Sequence, residues 1–158
     1  MQKITPMLWF NDQAEEAAKF YVSIFGDARI LETSYYGDES PAAGTVLVVK
    51  FQLEGQIYTA LNGLQDRPFS DAVSLMVHCG TQKEVDYYWD RLLAGGGKPI
   101  ACGWLQDKFG FRWQVTPDIL LEYINDKDKD KAKATRAMEA MMKMVKIDIA
   151  ALKKAYDG

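Results

Sequence analysis

Imidazole and thiol are scarce in this chain, which holds one histidine and two cysteines in 158 residues. A mixed metal site of His78, Cys79 and Cys102 is disfavoured at once, because neighbours on a strand point to opposite faces. The opening stretch MQKITPMLWF has one lysine and no apolar h-region, so no secretory route and no disulfide between Cys79 and Cys102 are expected. Long apolar runs are missing as well, and no segment reaches the roughly 20 residues of a membrane span. Nor is there an excess of cations: 19 Lys and Arg stand against 22 Asp and Glu, a net charge of -3 that offers no field to a phosphate backbone. The one glycine run, AGGGK at Ala94 to Lys98, follows its helix pattern instead of opening one. It therefore reads as a helix stop and not as a nucleotide-phosphate loop, which counts against a conventional Rossmann methyltransferase. Together the absences predict a cytoplasmic protein with no nucleic-acid partner and no membrane partner.

What is present is a globular composition, 48% hydrophobic and 12% aromatic, in a chain long enough to bury roughly 70% of its unfolded surface. One strand–helix–strand pattern occurs twice. In the first copy Ile4 to Phe10 reads as a strand. Asp12 is placed to cap a helix with Glu15 as its capping-box partner, and Gly26 supplies the stop. Strands follow at Arg29 to Tyr36, Thr45 to Leu53 and Gln56 to Asn62. In the second copy Ala72 to Cys79 is the strand, Thr81 and Glu84 form the box, and strands resume at Pro99 to Gln106 and Phe111 to Thr116 around the turn DKFG. Shifted by 68 residues, Ala17, Phe20, Tyr21, Ile24 and Phe25 fall on Val85, Tyr88, Trp89, Leu92 and Leu93. The expected fold is α+β: two βαβββ-type repeats, 3–64 and 71–117, whose sheets pair into one curved surface with the helices outside. A C-terminal helical extension, 118–158, completes a single domain, 1–158. A ligand would occupy the concave face.

LWFNDQAEEAAKFYVSIFGD, FQLEGQIYTALNG, VDYYWDRLLAGG and CGWLQDKFGFRWQVTP resemble the PhnB-like branch of the vicinal oxygen chelate superfamily, as does the tail RAMEAMMKMVKIDIAALKKA. That superfamily also holds glyoxalase I, extradiol dioxygenases and bleomycin- and fosfomycin-resistance proteins, and some PhnB-like members are labelled 3-demethylubiquinone 3-methyltransferases. The resemblance implies a divalent metal in the cup, held at positions that align near Thr5, Asn62 (or Ala60), Ser74 and Gln114. None of these is an imidazole or a carboxylate, and hydroxyls and amides bind catalytic zinc or iron weakly. No metal or other cofactor is therefore expected.

Alternation then groups the candidates. Thr5, Met7 and Trp9 share a face opposite Leu8 and Phe10, which makes Trp9 a cup-lining aromatic or a filler of a collapsed cavity. Ser74, Met76 and His78 share another. His78 reads either as a general base or ligand contact, since histidine titrates nearest neutral pH, or as a strand-end histidine that only hydrogen-bonds. Arg112, Gln114 and Thr116 face opposite Trp113 and Val115. Gln114 needs a partner, either a ligand or a polar neighbour such as Asn62. The cup is expected to be lined by Trp9, Asn62, Ser74, His78, Arg112 and Gln114. Asn125 to Lys133 alternates in sign and reads as a solvated linker or helix start. Ala134, Met138, Met141, Met142 and Val145 then form one apolar face that covers the sheet, a second subunit or a ligand. The sequence thus predicts a metal-free small-molecule-binding protein, expected to be a homodimer. Two alternatives stand beside it: a superfamily lyase or transferase using a displaced metal or His78 as base, and a dimeric scaffold with a self-filled cup.

Overall fold

The computed structural model describes residues 2–125 and 130–158. The middle of the charged stretch Asn125 to Lys133 lies outside the described residues. The chain divides between Pro68 and Phe69 into two compact units.

The first unit runs β1 (Met7–Phe10), α1 (Ala14–Val22), β2 (Ala28–Tyr35), β3 (Val46–Leu53) and β4 (Gln56–Asn62). Its sheet has the order β1-β4-β3-β2, with β1 parallel to β4 and the other pairs antiparallel. The second unit runs β5 (Leu75–Cys79), α2 (Gln82–Leu93), β6 (Lys98–Pro99), β7 (Trp104–Gln106) and β8 (Arg112–Pro117). Its order β5-β8-β7-β6, again with one parallel pair at β5 and β8, repeats that topology. Three helices follow, α3 (Asp118–Asn125), α4 (Lys131–Met141) and α5 (Ile149–Asp157). The class is α+β, with two βαβββ repeats forming open four-stranded sheets and a C-terminal helical extension.

Alternation decides which face of each sheet is covered. Leu8 and Phe10, Val49, Phe51 and Leu53, and Tyr58 and Ala60 are all buried, as are Ala14, Ala17, Ala18 and Tyr21 of α1. Three alanines let the helix lie close to the strands, and Tyr21 stacks on Phe51 with centroids 6.2 Å apart. In the second unit Val77, Cys79, Leu105, Trp113 and Val115 are buried with Val85, Trp89 and Leu92 of α2. Each such large apolar side chain contributes about 1.5–3 kcal/mol on leaving water.

Several boundaries differ from the sequence pattern. The first strand begins at Met7, with Ile4 85% exposed. The expected cap from Asp12 is not made: Gln13 occupies the N-cap without a side-chain bond, and Ala14 N–H donates instead to Asn62 Oδ1 at 2.8 Å. Helix α1 ends at Val22, before Gly26. In the second copy β5 begins at Leu75 instead of Ala72, and the strand expected over Pro99 to Gln106 is split into β6 and β7, while the Thr81–Glu84 capping box is present in both directions. The DKFG turn is organised by Asp107, 1% exposed. Its carboxylate accepts from Phe109 N, Phe111 N and Trp113 Nε1 at 2.9, 3.0 and 2.8 Å.

The methionine-rich tail also differs. Helix α4 stops at Met141 and turns Ala137 and Met141 inward onto Leu120 and Leu152, while Met138, Met142 and Val145 are exposed. The expected single face breaks because the chain turns after Met141 and runs back to the second repeat. There Met144 O and Val145 O accept from Cys102 N and Gly103 N, both at 2.8 Å. Ile147, 1% exposed, packs against Gly103. A Cβ at Gly103, where φ is +81°, would lie 2.9 Å from Val115 O and 3.1 Å from Ile147 Cγ1, so the contact requires glycine. Gln82 closes the junction, donating to Ile147 O at 3.1 Å and accepting from Ile149 N at 2.8 Å. Among the described residues no helix is long and apolar enough to cross a membrane.

Candidate functional site

The face of the second sheet turned away from α2 is set by register. Trp104 of β7 and Met76 of β5 flank Gln114 of β8, and Gln106 sits opposite Arg112 one pair along. His78 is level with Thr116 on the other side. Strand alternation thus brings Ser74, Met76, His78, Trp104, Arg112 and Gln114 to one surface. Gln114 finds its partner here: Nε2 donates to Ser74 Oγ at 2.8 Å.

His78 lies at the outer end of that surface with 59% of its side chain exposed, its Nδ1 3.1 Å from Asp118 Oδ1. In the tautomer that carries its proton on Nδ1, the ring donates to this carboxylate and Nε2 is left as an acceptor. Arg112 is the contrast, with only 15% of its side chain exposed; Nε donates to Asp71 and Nη1 to the Gly110 carbonyl.

Asn62 belongs to the first unit. It is 5% exposed on the α1 side of β4, with Oδ1 taken by Ala14 N and Nδ2 donating to Val46 O at 3.0 Å. Trp9, on the opposite face of the first sheet, is fixed by its own unit. Its Nε1 donates to Gln65 O at 3.0 Å, and its ring covers Gly63, where a Cβ would come within 2.0 Å of Cζ2. Thr5 precedes β1 and is half-buried. Sequence reasoning missed Asp71, Asp118 and Trp104. The two aspartates lie 41 and 40 residues from their partners and leave no local signal. Trp104 was readable from its alternation with Leu105.

The four positions aligned with superfamily metal ligands are therefore a hydroxyl outside the strand, an amide bonded to backbone at both ends, and a serine and glutamine bonded to each other. Among the described residues no three His, Cys, Asp or Glu side chains gather. This donor set does not fit a divalent catalytic ion. Neither cysteine is in a disulfide. Burial, and after it the carboxylates of Glu84 and Asp118, push the Cys79 thiol up to about 12, which makes it no nucleophile at neutral pH.

Two βαβββ units of this topology define the fold of the vicinal oxygen chelate superfamily. The family described as 3-demethylubiquinone-9 3-methyltransferase matches residues 2–116, and the chain belongs to it. Among solved structures, the PhnB protein of Bacillus cereus, which bears the same methyltransferase description, is 36% identical with a TM-score of 0.66, over 73% of this chain and 99% of that one. Protein PA1353 of Pseudomonas aeruginosa is 20% identical with a TM-score of 0.61, over 74% and 98% of the two chains. The fosfomycin resistance protein FosX of Mesorhizobium loti, 14% identical with a TM-score of 0.53 over 77% and 99%, shares the fold. No curated protein matches the chain.

Proposed function

We propose that this chain is a metal-free small-molecule-binding protein whose ligand lies on the face of the second sheet turned away from α2. The observation that carries the reading is the convergence there of Ser74, His78, Trp104, Arg112 and Gln114. These are hydrogen-bonding groups held by defined partners beside an aromatic surface, the composition of a small-molecule site. Asn62 is left out of the site because its amide is spent on backbone, and Trp9 is left out because it is held within the first unit by Gln65 and Gly63. The neutral donor set supports binding without a metal. Elemental analysis of dialysed protein is expected to find less than stoichiometric zinc, iron, nickel or manganese; one ion per chain overturns the metal-free reading. The protein is further taken to be a cytoplasmic homodimer, which sedimentation equilibrium tests for its oligomeric part: a species of single-chain mass counts against the dimer.

A second reading is favoured by the His78–Asp118 pair and by the methyltransferase description of the family. Here His78 Nε2 would accept a proton from a bound substrate, with Asp118 fixing the ring. Calorimetry with S-adenosylmethionine tests methyl transfer, and absence of binding heat removes it. A His78→Ala variant that keeps full ligand affinity and any activity removes the base.

A further inference from the structure

Arg112 is the one side chain of the ligand-bearing face whose charge is mostly withdrawn from water, 15% exposed, while the carboxylate opposite it is 75% exposed. A guanidinium so placed requires an anion or several acceptors. It has two, Asp71 at Nε and the Gly110 carbonyl at Nη1. The edge formed by Nε and Nη2 is the fork that matches the two oxygens of a carboxylate or phosphate. Asp71 uses half of it: Oδ1 meets Nε, and Nη2 makes no bond among the described residues. No side-chain nitrogen or oxygen among those residues is both fully buried and without a partner, so Nη2 keeps some contact with solvent.

Asp71 belongs to the segment that enters β5, not to the sheet. That segment is pinned at one end by Phe69 edge-on to Phe111, centroids 5.1 Å apart, and at the other by Ser74 on Gln114. Ala72 and Val73 between them are exposed. An exposed carboxylate on such a segment is held weakly by a single ion pair and is readily replaced.

We infer that Arg112 is an anion anchor, taking the carboxylate or phosphate group of a small ligand on its Nε–Nη2 edge in the place Asp71 occupies. The inference rests on the ligand-bearing face proposed above and adds the ligand's class: a small molecule bearing an oxyanion, with its body over Gln114 and Trp104. Asp71 is then an internal competitor that leaves when the ligand arrives.

The test uses benzoate, its neutral isostere benzamide, and inorganic phosphate, each titrated into 15N-labelled full-length protein while the Arg112 Nε–Hε resonance is followed. Benzoate or phosphate is expected to move that resonance saturably, and whichever binds tighter distinguishes a carboxylate from a phosphate ligand. Benzamide is expected to bind at least about 10-fold more weakly, because a neutral amide cannot satisfy the fork. Asp71→Asn, which removes the competitor and leaves Arg112 in place, should bind the preferred anion about 3- to 5-fold tighter. Arg112→Lys, which keeps the charge but loses the fork, should weaken it about 10-fold or more. Benzamide binding as tightly as benzoate would overturn the anion anchor and leave the ligand-bearing face standing. An unmoved Arg112 resonance in Asp71→Asn with both benzoate and phosphate overturns the anchor too. In that case the metal analysis and a ligand search by thermal shift decide the broader reading separately.

Discussion

Cys79 illustrates how the covered face of a strand sets the chemistry of a single side chain. It is fully buried between Val77 and the start of α2, and its thiol is raised to about 12, by burial first and by Glu84 and Asp118 after it. The neutral thiol is the form the fold favours, so its contribution to stability is complete below the unfolded value near 8.5. That contribution is lost as pH rises from about 9 to 12, where the unfolded chain releases the proton and the native one does not, with a slope of up to about 1.4 kcal/mol per pH unit. Tyr58, also raised by burial, acts in the same direction at higher pH. Urea unfolding measured from pH 8 to 10.5 is expected to fall more steeply for the native chain than for Cys79→Ala. Equal slopes would show that the buried thiol is not responsible. At pH 8 an aromatic disulfide reagent should label half-buried Cys102 in the native state and Cys79 only after unfolding.

The two repeats solve one problem at the element scale in two ways. Helix α2 satisfies its first amides locally, through Thr81 Oγ1 and Glu84, whereas α1 takes an acceptor from Asn62 at the end of β4. Thr81→Ala should cost about 1 kcal/mol. Asn62→Ala should cost about 2 kcal/mol, since it leaves both Ala14 N and Val46 O without their partner. Asn62→Asp should fall between, keeping an acceptor and losing the donor. Chemical denaturation ranks the three, and a smaller loss for Asn62→Ala than for Thr81→Ala would refute the tertiary cap. The contrast also explains what was legible in the sequence. Strand and helix identities followed from the apolar spacing around Leu8, Phe10, Val77 and Trp89, because burial of one face imposes the period. The start of α1 did not follow, because its cap lies 48 residues away. Asn62 carried a signal of importance, and its pairing with Phe10 in the parallel ladder places it to cap α1.

At the scale of the whole molecule, the family match ends at residue 116, and the helices beyond it are fastened to the second repeat through a short list of bonds. Cys102 N and Gly103 N depend on Met144 O and Val145 O, Gln82 holds Ile147 and Ile149, and Lys146 pairs with Asp86 at 2.8 Å. The last pair is partly exposed and contributes at most about 1 kcal/mol. Native-state hydrogen exchange is therefore expected to show the Cys102 and Gly103 amides opening together with those of α5, at a lower free energy than the β8 amides. Protection of Cys102 and Gly103 equal to that of β8 would show that the extension and the sheet open as one. The candidate site was half legible for the same reason of distance. Alternation placed Ser74, His78, Arg112 and Gln114 on one face, but Asp71 and Asp118, which decide what Arg112 and His78 are free to do, reach them from segments about 40 residues away.

The borrowed cap of α1 bears on how the chain emerges during synthesis. When Ala14 to Val22 leaves the ribosome, its first amide has only water as acceptor until Asn62 follows, so this helix waits for its cap on the last strand of its own repeat. Helix α2 has its cap at hand, because Thr81 and Glu84 are translated within four residues of each other. The half of the protein made later is thus the half whose helix carries its own cap.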